Sequence, residues 1–111
     1  MSYQPGAGYP DLLTIRSWVG VPATVIDDAQ LNKVAGAEQL FQQSFIAWPA
    51  GEDLPDDGYQ AFLRLVARHL AAKGIPLGML GADAEYGPTA LSRFDAEIER
   101  LHGPLRKVVL G

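Results

Sequence analysis

Hydrophobic positions recur along this chain at intervals of three and four, and that spacing predicts helices rather than strands. The first helix is short, from Asp11 to about Val19. Asp11 suits an N-cap, Gly20 and Pro22 form a stop signal, and Leu12, Ile15, Trp18 and Val19 fall near one face. A second helix opens at the acidic pair Asp27-Asp28 and runs to about Trp48, where Pro49 closes it. Its apolar stripe is read as Val34, Ala37, Phe41, Phe45 and Trp48. The opposite face, Asn32, Gly36, Gln39 and Gln43, is polar yet nearly uncharged, a composition more typical of an interface than of a surface facing only water.

The third helix has the clearest amphipathic pattern. It is expected to start at Asp56 or Asp57 and to end near Lys73, with Gly74 and Pro76 beyond. Tyr59, Phe62, Leu63, Val66, Ala67 and Leu70 make its apolar stripe, and Gln60, Arg64 and Arg68 lie opposite. The segment 75–88 is rich in Gly and Pro and reads as a long loop, with Leu77, Met79, Leu80 and Tyr86 as its candidate contact residues. A fourth helix begins between Thr89 and Ser92 and ends at Gly103. Leu91, Phe94, Ile98 and Leu101 form its apolar edge. The expected fold is therefore all-α: a small bundle of about four helices with extended termini. Residues 1–10 are expected to be a flexible arm because Pro5, Gly6, Gly8 and Pro10 oppose a regular helix. Residues 11–103 form the helical domain. Residues 104–111 form a tail whose apolar end, Val108-Val109-Leu110, follows Arg106-Lys107.

Composition narrows the function. The chain has 111 residues, enough for one domain, and no cysteine, which removes disulfides, thiolate metal sites and cysteine nucleophiles. A net charge of −4 with scattered basic residues argues against gripping nucleic acid, which demands a basic stripe. No apolar stretch reaches the length of a membrane span or a signal peptide, so a soluble, cytosolic protein is expected.

Candidate chemistry is sparse. Glu99 and His102 have the Glu-x-x-His spacing of di-iron bundles, but Val66 stands where a second copy ending in His69 would need its carboxylate. His69 reads as a half-buried histidine beside the third helix's stripe, and His102 as a cation favoured at a helix C-terminus. Asp27-Asp28 and Asp56-Asp57 read as helix caps. Asp83 and Glu85, in the loop, read as a solvated pair or a weak cation site. The four serines lack a nucleophile-elbow context, and Gly6-Ala7-Gly8 lacks the strand and lysine of a phosphate loop. No enzyme, cofactor or resident metal is expected.

Two stretches carry a resemblance. Ala67-Arg68-His69-Leu70-Ala71-Ala72-Lys73-Gly74-Ile75-Pro76-Leu77-Gly78, continued by Arg93-Phe94-Asp95-Ala96-Glu97-Ile98-Glu99-Arg100-Leu101, resembles the head-to-tail adaptor (connector) proteins of tailed bacteriophages, particularly those of actinobacteria. The opening is similar too: Trp18-Val19-Gly20-Val21-Pro22, the acidic pair, then a long helix carrying Ala37-Glu38. The likeness spans roughly residues 11–106 and fails at the two ends. It implies a virion protein at the head–tail junction, made in the host cytoplasm. Such a protein is a homo-oligomeric ring, typically of twelve copies, between the portal protein and a stopper or tail-completion protein, with DNA passing through unread.

On that implication Gln39, Gln43 and Trp48 are the candidate subunit contacts. Arg106, Lys107, Val108, Val109 and Leu110 are the candidate contacts to a neighbouring ring, and the 75–88 loop is the candidate reach to the next component. Two readings stand beside it. One is a small helical interaction module, such as a dimeric regulator, of non-viral role. The other is a metal-dependent enzyme built on Glu99, His102 and an acidic neighbour.

Overall fold

Local capping rules set most of the helix boundaries. In the computed structural model, which describes residues 3–49, 51–75 and 87–106, α1 spans Leu12–Val19, α2 Asp28–Gln43, α3 Asp56–Ala72 and α4 Gly87–His102. For 87–93 only the backbone is described. A 3₁₀ turn, Gly103–Leu105, follows α4 directly, and there is no strand among the described residues. Asp11 and Asp27 cap α1 and α2 by accepting from the backbone N–H of Thr14 and Gln30, both at 2.8 Å. Gly20 ends α1 in the left-handed conformation at φ 70°.

Three boundaries differ from the sequence expectation. α2 stops at Gln43, five residues before Trp48, because the chain turns at Ser44–Phe45 and Ile46 pairs with Arg106 in an isolated antiparallel bridge. Pro55, without a side-chain cap, precedes α3, so Asp56 and Asp57 occupy its first turn and act on the helix dipole instead. α4 begins at Gly87, earlier than the Thr89–Ser92 window.

α3 is the central element: α1, α2 and α4 all pack on it. Ala61, Phe62, Leu63, Leu65, Val66, Ala67 and Leu70 are essentially inaccessible. Phe94, Ile98 and Leu101 of α4 cover one side, and Ile15 and Val19 of α1 with Leu31, Val34 and Ala35 of α2 cover others. α4 lies antiparallel to α3, pinned outside the core by Arg68–Asp95 (2.8 Å) and by Arg64–Glu97. Arg64 also lies over the Trp18 ring, 5.5 Å from its centroid.

The expected flexible arm is instead part of the core. Tyr3 and Tyr9 are buried, and both rings contact Phe62. Tyr3 stacks on it at 5.5 Å, and Tyr9 meets it edge-on at 5.0 Å. A tight turn at Gly6–Tyr9 makes this possible. Gly8, at φ +92°, lies so close to the next turn that an added Cβ would sit 2.5 Å from the Leu54 nitrogen. Pro and Gly do forbid a helix here, but they shape a folded strap rather than a loose one. Because Phe62 supports both tyrosines, Phe62→Ala is expected to lower stability by about 3–5 kcal/mol, read from the urea midpoint. A loss under about 1 kcal/mol would show that the tyrosines do not lean on this ring.

Candidate functional site

Four segments meet at one buried carboxamide. Gln42 in the last turn of α2 has no exposed surface, and its Oε1 accepts from the Tyr9 hydroxyl at 2.8 Å. Its Nε2 donates to the Gly58 carbonyl of α3 at 2.9 Å and lies 2.9 Å from Nε2 of His102 in α4. Since the Gly58 oxygen can only accept, the amide nitrogen must face it, and that fixes the orientation of Gln42. The second amide hydrogen then points at His102 Nε2, which has to be the accepting nitrogen. His102 is therefore neutral with its proton on Nδ1, a buried N–H with no acceptor among the described residues.

The rest of α2's polar face holds the strap. Asn32 accepts from the backbone N–H of Tyr3 at 3.1 Å. Gln39 accepts from the N–H of Gln4 at 3.0 Å and donates back to the Gln4 carbonyl at 2.8 Å. Gln39, expected at a subunit contact, is thus buried inside its own chain, 6% exposed. Asn32 and Gln39 of the uncharged face thus form an intramolecular interface with the strap.

With the polar side turned inward, part of the expected apolar stripe faces outward. Ala37 is exposed, and Phe41 is 47% exposed beside Leu40 at 46%. Beyond Lys33 the outward side of α2 is Ala37, Leu40, Phe41, Gln43 and Ser44, with no charge on it. The aromatic line continues inward: Phe41 meets Phe45 at 5.0 Å, and Phe45 meets the His102 ring edge-on at 4.7 Å. Gln43 remains exposed. Trp48 is half-buried, its indole N–H donating to the Glu52 carbonyl at 2.9 Å.

Of the proposed tail contacts only Arg106 lies within the described residues. Its guanidinium takes both carboxylate oxygens of Glu99 at 2.7 Å and lies over Phe45, 5.3 Å from the centroid. Ala47 donates to the Leu105 carbonyl at 2.8 Å, which holds Leu105 and Arg106 beside Phe45. Lys107, Val108, Val109 and Leu110, and the loop residues Leu77, Met79, Leu80 and Tyr86, lie outside the described residues, as do Asp83 and Glu85. The Glu99–His102 pair does not converge: Glu99 turns out to Arg106, and His102 turns in to Gln42. No three His, Asp or Glu side chains gather as metal ligands among the described residues. His69, half-buried, meets Glu38 at 3.1 Å. No helix among the described residues is long and apolar enough to cross a membrane.

Comparison of the chain with protein-family models, with characterised proteins and with solved structures gives no match.

The electrostatics of His102 reverse the expected cation at the end of α4. Burial, reinforced by the nearby charge of Arg106, pushes its pKa down to about 4. A histidine whose folded pKa lies below its ordinary 6.5 favours the neutral form in the native state. Its contribution to stability is complete above pH 6.5 and is lost as pH falls toward 4, by no more than about 3 kcal/mol. Urea unfolding of the wild type and of His102→Gln at matched pH tests this. The difference between them is expected to narrow as pH falls through that window, and a pH-independent difference would contradict it.

Proposed function

We propose that this chain is a head-to-tail adaptor of a tailed bacteriophage, a structural protein that seats between the portal and the next tail component. The observation carrying the reading is the outward face of α2. Leu40 and Phe41 stand adjacent and half-exposed in an uncharged surface that runs to Phe45, over which Arg106 lies. Single exposed apolar residues are ordinary on a monomer. A contiguous aromatic and aliphatic strip without charge is the composition of a protein contact. The resemblance of 67–78 and 93–101 to phage adaptors supplies the identity of the partner.

In this role the chain performs no chemistry. The α2 strip, with the tail root at Arg106, docks on a neighbouring ring, and copies of the domain close a ring around the DNA path. A chain of net charge −4 offers little to hold phosphates, which suits passage of DNA without binding. Gln43 and Trp48 stay at the edge of the docking surface, and Gln39 is withdrawn from it because it ties down the strap.

The test is binding of the purified chain to a candidate portal complex, measured by co-sedimentation. Wild type is expected to enter the portal complex. Phe41→Asp is expected to bind at least about tenfold more weakly, since it places a charge in the contact, while its unfolding free energy falls by no more than about 2 kcal/mol and the chain stays folded in the assay. Undiminished binding by Phe41→Asp removes the strip from the contact. A wild-type chain that ignores the portal and forms a stable dimer overturns the adaptor reading in favour of a small interaction module.

A further inference from the structure

The antiparallel α2–α3 pair presents a lysine-rimmed groove at one end and a carboxylate-bearing turn at the other. At one end, where α2 begins and α3 finishes, a groove of about 540 Å³ is lined by Ile26, Gln30, Lys33, Val34, His69, Lys73 and Ile75. Its floor is apolar, Ile26 and Val34 being only 3% exposed, and its rim carries two lysines. Neither Lys33 nor Lys73 has a carboxylate within ion-pair distance among the described residues. The negative groups nearby are committed: Glu38 to His69, Asp28 to Arg16 at 2.6 Å, and Asp27 to the cap of α2, where it accepts from the Gln30 N–H at 2.8 Å.

At the other end the turn from α2 into α3 presents Glu52, Asp53, Asp56 and Asp57, all exposed. The dipole of α3 accounts for Asp56 and Asp57 in its first turn. It does not account for Glu52 and Asp53, which lie before the helix and have no ion-pair partner among the described residues. From Asp57 to Lys73 the axis of α3 rises about 24 Å, so turn and groove cannot meet within one chain.

We infer that the Glu52–Asp57 turn of one copy seats in the Lys33–Lys73 groove of a second copy, making a head-to-tail contact between identical chains. The occupant follows from charge complementarity: each copy displays a cationic groove and an anionic turn at opposite ends of one rigid helix pair. The contact is heterologous, one patch meeting a different patch, and its repetition gives a ring if the rotation closes and a filament if it does not. It deepens the adaptor reading by supplying the subunit contact, and it rests on that reading only for closure into a ring around DNA. The α2 strip lies further along the same helix, Leu40 being about 10 Å of helix rise beyond Lys33, and stays available to the portal.

Charge reversal on the full chain tests it, with mass in solution followed by sedimentation over concentration at low and high salt. Wild type is expected to associate at low salt and to weaken as salt screens the contact. Lys33→Glu/Lys73→Glu and Glu52→Lys/Asp53→Lys are each expected to weaken association at least about tenfold. The chain carrying all four reversals restores opposite charge across the contact and is expected to recover association. That rescue distinguishes a direct contact from misfolding. Wild type monomeric at every concentration and salt, or quadruple reversal no better than the pairs, overturns the contact. If reversal abolishes association while no portal is bound, the contact stands and the adaptor reading falls. If the pair variants associate as fully as wild type at low salt while wild type still enters the portal complex, the contact falls and the adaptor reading stands.

Discussion

The carboxamide of Gln42 is the constraint on which the rest of this small domain depends. It is buried without exposure, and each of its polar positions is used: the Tyr9 hydroxyl on the oxygen, the Gly58 carbonyl and His102 Nε2 on the nitrogen. One side chain thereby fixes the N-terminal strap, α2, α3 and α4 relative to each other. Hydrogen bonds of this kind contribute modestly when made and cost much more when one partner is lost in a dry interior. The arrangement accordingly favours a single register of α2, with Gln39 and Gln42 inside and Leu40 and Phe41 outside.

That register explains both what could be read from the sequence and what could not. The caps at Asp11 and Asp27 and the stops at Gly20 and Gly74 are short-range, set by residues three or four positions apart, and they fell where the pattern put them. The amphipathic stripe of α3 was equally legible, because hydrophobicity alone assigns its buried face. For α2 the same logic was right at Val34 and wrong at Ala37 and Phe41, which face outward. Its inward face is half polar, and the partners that make this tolerable, Tyr9 and His102, lie 33 and 60 residues away along the chain. A period-3.6 reading beginning at Leu31 and continuing through Ala35 and Gln42 would have found the buried face only if glutamine had been admitted to it. The strap was missed for the same reason. Glycine and proline report that a segment is not helical, but they do not report whether two tyrosines within it find a ring to stack on.

Function enters through what this packing leaves outside. The outward side of α2 has its two largest apolar residues uncovered, and the ends of the α2–α3 pair present a lysine-rimmed groove and a carboxylate-bearing turn. A domain whose N-terminal strap and buried polar side chains are tied down within itself has these surfaces left to offer a neighbour. Both histidines and several carboxylates are absorbed into folding: His102 into the Gln42 junction, Glu99 onto Arg106, Glu38 onto His69.

The most direct measurement is hydrogen exchange at the backbone amides of Tyr3 and Gln4 in the isolated chain. These N–H groups donate to Asn32 and Gln39, so they report whether the strap is locked to α2 in the register that turns Leu40 and Phe41 outward. The account predicts exchange slowed to a rate comparable with the amides of α2 itself. Exchange at the rate of an unstructured peptide would contradict it, leaving a free arm and no reason for the polar face of α2 to be buried.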